Sequence, residues 1–198
     1  MINYDKKEYE NATAFTGEYE RLEPEGYICK ILGSKVEQSK KGNDMLVLAV
    51  DIAEGKYESF FTKQFEEKKK NVKSPDQKAK YPNNAIVRCV LSGDNWINRF
   101  KGVIASIEKS NEGFDWEKCK RDESKLIGLK VGAIFSEEEY ERLDGSVGIA
   151  VKIYQLRSTE AIENKNYKVP DIKRLPKKGD AFEGYGNFTD TDDDDLPF

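Results

Sequence analysis

Apolar and polar positions alternate most clearly in the first third of the chain. After Glu25-Gly26, the run Tyr27-Ile28-Cys29-Lys30-Ile31-Leu32 predicts a strand that continues to about Gln38, and Ser39-Lys40-Lys41-Gly42-Asn43 reads as a turn. Met45 to Ile52 is the strongest strand pattern, because Leu46, Leu48, Val50 and Ile52 put a continuous aliphatic stripe on one face. Glu54-Gly55-Lys56 turns the chain into a third predicted strand, Tyr57 to Phe65, with a helix over 60–70 as the alternative. Residues 66–84 form a Lys-rich stretch punctuated by Pro75 and Pro82, almost free of aliphatics; an insertion this long inside a domain is functional or disordered. Ala85 to Leu91 predicts a further strand. Trp96, Phe100, Val103, Ile104 and Ile107 then fall at i, i+4, i+7, i+8 and i+11, the stripe of an amphipathic helix capped by Ser92-Gly93-Asp94 and ended by Asn111-Glu112-Gly113. That stripe assigns Trp96 to packing rather than to a ligand. After a polar connection, Leu129 to Ser136 predicts a strand, Glu137 to Ser146 a charged hairpin turning at Asp144-Gly145, and Val147 to Leu156 the last strand. In that last strand Val147, Ile149, Val151 and Ile153 face inward, with Gly148, Ala150, Lys152 and Tyr154 opposite.

The pattern predicts a mainly β fold, and its nearest match is a five-stranded OB-fold-like barrel with one helix between strands three and four, one strand fewer before the helix than the runs above. An open antiparallel sheet with one helix is the competing architecture. Around this body, expected over residues 23–162, lie an N-terminal arm at 1–22, a linker at 163–189 rich in Asn, Lys, Pro, Gly and Asp, and an acidic tip at 190–198.

Composition narrows the chemistry. The chain of 198 residues is 35% charged and 37% hydrophobic, with a mean hydropathy of -0.77. No apolar run approaches the roughly 18–20 residues of a membrane span, and the Met-Ile-Asn-Tyr-Asp-Lys-Lys-Glu start has no signal-peptide h-region. Cys29, Cys89 and Cys119 are isolated and odd in number, which suits a reducing compartment; the expected location is the cytoplasm. Histidine is absent, as are Cys-x-x-Cys and the Gly-rich phosphate loops, so the sequence argues against an enzyme and calls for no metal or cofactor. Of the 37 acids, seven lie in 179–198, where there is no Lys or Arg; residues 1–178 therefore carry 30 acids against 33 bases. The bases cluster, with Lys63, Lys68, Lys69, Lys70, Lys73, Lys78 and Lys80 close together. A mildly basic body with a strongly acidic terminus suits a nucleic-acid binder whose tail seeks partners.

The ending Asp192-Asp193-Asp194-Asp195-Leu196-Pro197-Phe198 closes a carboxylate run with an apolar Leu-Pro-Phe, a combination that fits a small pocket rimmed by Lys or Arg. A segment of this composition cannot bury enough apolar surface to fold and is expected to be disordered. The tip resembles that of single-stranded-DNA-binding proteins. The body is similar to those of bacteriophages of Gram-positive hosts, through Gly26-Tyr27-Ile28-Cys29-Lys30-Ile31, Phe100-Lys101-Gly102-Val103-Ile104-Ala105-Ser106-Ile107-Glu108-Lys109-Ser110-Asn111 and Lys168-Val169-Pro170-Asp171. It departs from the bacterial housekeeping pattern, with its shorter body and Gly/Gln-rich linker. The tetramer of that group is therefore not carried over, and a monomer or dimer is favoured.

The resemblance implies sequence-independent binding of single-stranded DNA during replication, recombination or repair, in a bacterial host's cytoplasm if the chain is phage-encoded, with partner enzymes recruited by residues 192–198. In such a body the bases stack on aromatic rings and the phosphates follow a cationic groove over strands two and three. The stacking candidates are Tyr57, Phe61 and Phe65, with Tyr154 weaker; the phosphate candidates are Lys35, Lys40, Lys41, Lys63, Lys68, Lys69, Lys70, Arg88 and Lys152. Packing competes for each ring, since Phe60, Phe61 and Phe65 cannot all be exposed, and a solvated loop competes for Lys68 to Lys70. Tethered near the groove at roughly millimolar effective concentration, the acidic tip is expected to weaken DNA binding. Two other classes stay open: an acidic DNA mimic that inhibits a DNA-processing enzyme, and a strand-annealing recombination mediator.

Overall fold

The computed structural model describes residues 3–11, 21–71 and 79–176; the tip and most of the linker lie outside them. Within them, five strands, β1 (Gly26–Gln38), β2 (Asp44–Ile52), β3 (Ile86–Val90), β4 (Lys130–Glu141) and β5 (Val147–Arg157), form one antiparallel sheet in the order β3-β2-β1-β4-β5. The fold is mainly β and the sheet is open, with β3 and β5 as its edges. β1 is shared between two neighbours: Gly26 to Lys30 pairs with β4, and Cys29 to Gln38 pairs with β2 across an irregularity between Ile31 and Gly33. β5 lies against the 3-10 turn Asn83–Ala85 that leads into β3. Among the described residues four helices accompany the sheet: α1 (Lys6–Asn11), α2 (Phe60–Asn71), α3 (Trp96–Ser110) and α4 (Thr159–Glu163).

Most of the expected elements are present, and α3 stands between the third and fourth strands as the apolar stripe implied. The stretch Tyr57 to Phe65 is the exception: it is no strand. Gly55 (φ 88°) and Ser59 (φ 59°) turn the chain sharply back after β2, and α2 then starts because a distant side chain supplies its cap. The buried Asp51 carboxylate on β2 accepts the backbone N–H groups of Phe61 (3.0 Å) and Thr62 (2.8 Å), and also that of Ile52 (2.8 Å). Two of the donors that every helix N-terminus leaves unpaired are satisfied this way. The third strand is instead Ile86–Val90, and β4 runs on to Glu141 through glutamates expected in the hairpin loop.

Both faces of β2 are covered, so Met45 to Ile52 are all buried. Leu46, Leu48, Val50 and Ile52 join the main core with Cys29, Ile31, Ile104, Ile107, Phe135 and Val151. Phe61 stacks on Phe135 at 5.7 Å and 16° between ring planes, a contact worth about 0.5–1.5 kcal/mol beyond area burial. Met45, Val47 and Ala49 point the other way and form a second, smaller cluster with Ile86, against which Tyr81 and Val90 pack.

The chain expected to be a linker from residue 163 is docked on the body as far as Leu175. Tyr167 and Ile162 lie so close to the sheet that a Cβ at Gly26 would stand 2.6 Å from the Tyr167 ring, and one at Gly132 would stand 2.5 Å from Ile162 and 2.7 Å from the Ser158 carbonyl. Glycine is required at both places for close approach. Beyond them, Lys173 bridges in parallel to the edge of β4, donating to the Glu137 carbonyl (3.0 Å) and accepting from the Glu139 N–H (2.9 Å). Among the described residues no helix is long and apolar enough to cross a membrane.

Candidate nucleic-acid interface

Strand register brings two of the expected phosphate-binding residues together. Cross-strand partners in an antiparallel sheet share a face, and Val47 pairs with Lys35 on β1 and with Arg88 on β3. Lys35, Val47 and Arg88 therefore form a row across the sheet, on the side away from the main core. The next row towards the β1–β2 turn is Glu37, Met45 and Val90; the row on the other side is Gly33, Ala49 and Ile86. The result is an apolar floor that is itself buried (Val47 0%, Met45 7%, Ala49 6% and Ile86 8% exposed), with a cation on each flank. Lys35 Nζ lies 2.5 Å from Glu37 Oε2, and the Arg88 guanidinium donates to Asn83 Oδ1 at 2.7 Å. Lys40 and Lys41 are exposed in the β1–β2 turn, closed by Ser39 and Asn43 through a backbone bond of 2.8 Å.

An aromatic pair borders this floor. The Tyr81 hydroxyl donates to the Val50 carbonyl at 3.0 Å, and its ring meets Phe65 edge-on at 5.4 Å. Burial, reinforced by the Asp51 charge, pushes the Tyr81 phenol far above its usual range, so it stays a neutral donor. Lys69 stands 4.3 Å over the Phe65 ring and pairs with Glu66 at 2.8 Å. Lys63, Lys68 and Lys70 are exposed on the same helix. Phe65 is thus a half-buried ring among cations, and the sequence holds no comparable sign of its neighbour Tyr81 beyond Tyr-Pro ahead of an apolar run.

Tyr57 and Phe61 are placed otherwise than expected. Both rings are core, 5% and 1% exposed, and neither is open to a base. Reading Tyr57 to Phe65 as a strand aligned them on one outward phase; in a helix capped by Asp51, Phe61 turns inward onto Phe135. Tyr57 is held between Tyr27 and Phe60, with its hydroxyl donating towards Glu23 Oε1 at 3.2 Å. Tyr154 is 59% exposed on β5 and Lys152 lies on the same strand, at the opposite edge of the sheet from Arg88.

The glutamates of β4 serve the fold. Glu137 holds Arg21 at 2.6 Å, Glu139 accepts the Leu175 N–H at 3.1 Å, and Glu138 holds both Lys173 (2.7 Å) and Lys152 (3.3 Å). Partial burial opposes the charge on Glu138, but its two lysines prevail and hold its carboxyl below the usual range. Among the described residues no cluster of three His, Cys, Asp or Glu side chains could hold a metal ion. The expected partner-binding residues Asp192, Asp193, Asp194, Asp195, Leu196, Pro197 and Phe198 lie outside the described residues. In comparisons with known proteins, no family model matches the chain and no curated protein matches its sequence.

Proposed function

We propose that this chain binds single-stranded DNA without sequence preference, protecting it during replication, recombination or repair, and that the acidic Leu196-Pro197-Phe198 ending recruits partner enzymes. The observation that carries the reading is the row Lys35–Val47–Arg88 on the outer face of β1, β2 and β3, bordered by Phe65 and Tyr81. Cations on either side of a buried apolar row suit phosphate contact, and the half-buried Phe65 and Tyr81 rings at its margin suit base stacking, without a base-edge code. The strand order lends support: an OB fold is a five-stranded, partly open barrel that binds oligonucleotides on this side, and curling β3 onto β5 would turn this sheet into one. The contact of β5 with the turn before β3 is a step in that direction. No catalytic step is part of this reading.

The test is fluorescence anisotropy of a labelled oligo-dT with duplex competitor, at about 50 and 200 mM salt. Preference for the single strand, with affinity falling on a log–log salt slope of about -0.7 per phosphate contacted, is expected. Arg88→Ala should weaken binding and flatten that slope. Absence of binding at low salt, also after residues 190–198 are removed, would overturn the reading and favour an acidic inhibitor of a DNA-processing enzyme.

A further inference from the structure

Lys35 already has an anionic partner on the proposed DNA face. Lys35 and Glu37 lie two residues apart on β1, so they project to the same side, and Lys35 Nζ sits 2.5 Å from Glu37 Oε2. The other oxygen, Glu37 Oε1, is buried and has no hydrogen-bond partner. The Glu37 side chain as a whole is only 15% exposed, beside Met45 and Val90 in register. A buried carboxylate oxygen left unpaired is costly, and a native protein that keeps one invites an explanation beyond stability.

We infer that Glu37 is a built-in stand-in for a DNA phosphate: it occupies Lys35 in the free protein and is displaced when a phosphate arrives. The inference rests on the proposed DNA-binding reading and adds a residue that sets affinity and salt response. In binding, DNA releases a condensed counterion at Lys35, while the displaced Glu37 carboxylate leaves a negative charge beside the phosphates that holds one back. The two exchanges cancel, so the Lys35 contact is nearly silent in the salt dependence. With a neutral residue at position 37, the release is no longer recaptured.

The experiment is a salt titration of oligo-dT binding with the full chain and the variants Glu37→Gln, Lys35→Gln and the double variant. Glu112→Gln, in the exposed turn after α3, controls for the change in net charge. Glu37→Gln should tighten binding and steepen the log–log slope by about 0.7, so that its advantage shrinks about 2.6-fold between 50 and 200 mM salt. In the Lys35→Gln background, Glu37→Gln should add no more than Glu112→Gln does. An unchanged slope in Glu37→Gln, weaker binding by a variant whose circular dichroism and melting match the parent, or an equal effect with and without Lys35 would overturn the inference while leaving DNA binding intact. Failure of the parent chain to bind oligo-dT at all would overturn both.

Discussion

Replacing Asp51 tests how α2 is positioned and, through it, how Phe65 and the lysines reach the candidate face. The Asp51 carboxylate is 4% exposed and accepts three backbone N–H groups, those of Ile52, Phe61 and Thr62, at 2.8–3.0 Å. Hydrogen bonds to a charged group contribute about 1.5–3 kcal/mol each, and a lost N-cap costs about 0.5–2 kcal/mol. The contributions do not add fully, because water or a small backbone shift can recover part of them. Asp51→Asn keeps the shape but loses the charge, and it turns an NH2 group towards a backbone donor; a loss of about 2 kcal/mol is expected. Asp51→Ala strips all three donors of their acceptor and should cost about 3–4 kcal/mol. Urea unfolding gives the magnitude, read as a shift in midpoint at constant slope. Hydrogen exchange gives the location, since the amides of Phe61 and Thr62 should lose protection before those of β2. A loss under about 0.5 kcal/mol for Asp51→Asn, or undiminished protection at Phe61 and Thr62, would refute the capping argument.

Three further outcomes are expected. Phe61→Ala should cost about 3–5 kcal/mol of stability, whereas Tyr154→Ala, at a ring 59% exposed, should stay within about 0.5 kcal/mol; equal effects in thermal or urea melts would contradict the assignment of Phe61 to the core. Glu138 has a lowered carboxyl pKa, so its pairs with Lys173 and Lys152 stabilise the fold above the ordinary glutamate range near about 4.3 and lose that contribution as pH falls through the lowered value. The stability difference between the parent and Lys173→Ala, up to about 1 kcal/mol at neutral pH, should therefore vanish in acid, and a difference that grows below pH 4 would be inconsistent with it. Deleting residues 190–198 should tighten oligo-dT binding at low salt and abolish capture of partner enzymes, and unchanged affinity would remove the masking role of the tip.

Strand positions were legible from aliphatic runs such as Leu46, Leu48, Val50 and Ile52, but the facing of β5 was not: Val147 and Ile149, expected inward, are 54% and 44% exposed, while Val151 is buried. Nor was the end of β4, since Glu137 to Glu139 look like a solvated loop until Arg21, Lys152 and Lys173 are seen to pair with them. α2 stood only as the alternative to a strand for a related reason: its cap comes from Asp51, ten residues before Phe61 and on another element, and local sequence cannot show that two segments meet. The same gap hid which cations share a face of the sheet. Lys35 and Arg88 are conspicuous as basic residues, but only the register across Val47 makes them neighbours. Tyr57 and Phe61 were chosen by a strand phase the chain does not adopt, while Tyr81 sat unremarked at the end of a polar stretch.

The segment around Lys173 also bears on where the molecule can be shortened. Past Ile134, β4 leaves its pairing with β1, and the backbone there would offer unpaired N–H and C=O groups to any passing strand. Lys173 occupies that opening at Glu137 and Glu139, and the residues leading to it fill the hollows over Gly26 and Gly132. A chain cut after residue 163, where the sequence pattern loses its aliphatic period, would keep all five strands and Ile162 over Gly132, and yet expose a sticky edge beside the hollow over Gly26 that Tyr167 vacates. A chain cut after Pro176 would keep that edge sealed, so the smallest well-behaved body extends thirteen residues further than the hydrophobic pattern alone would draw it.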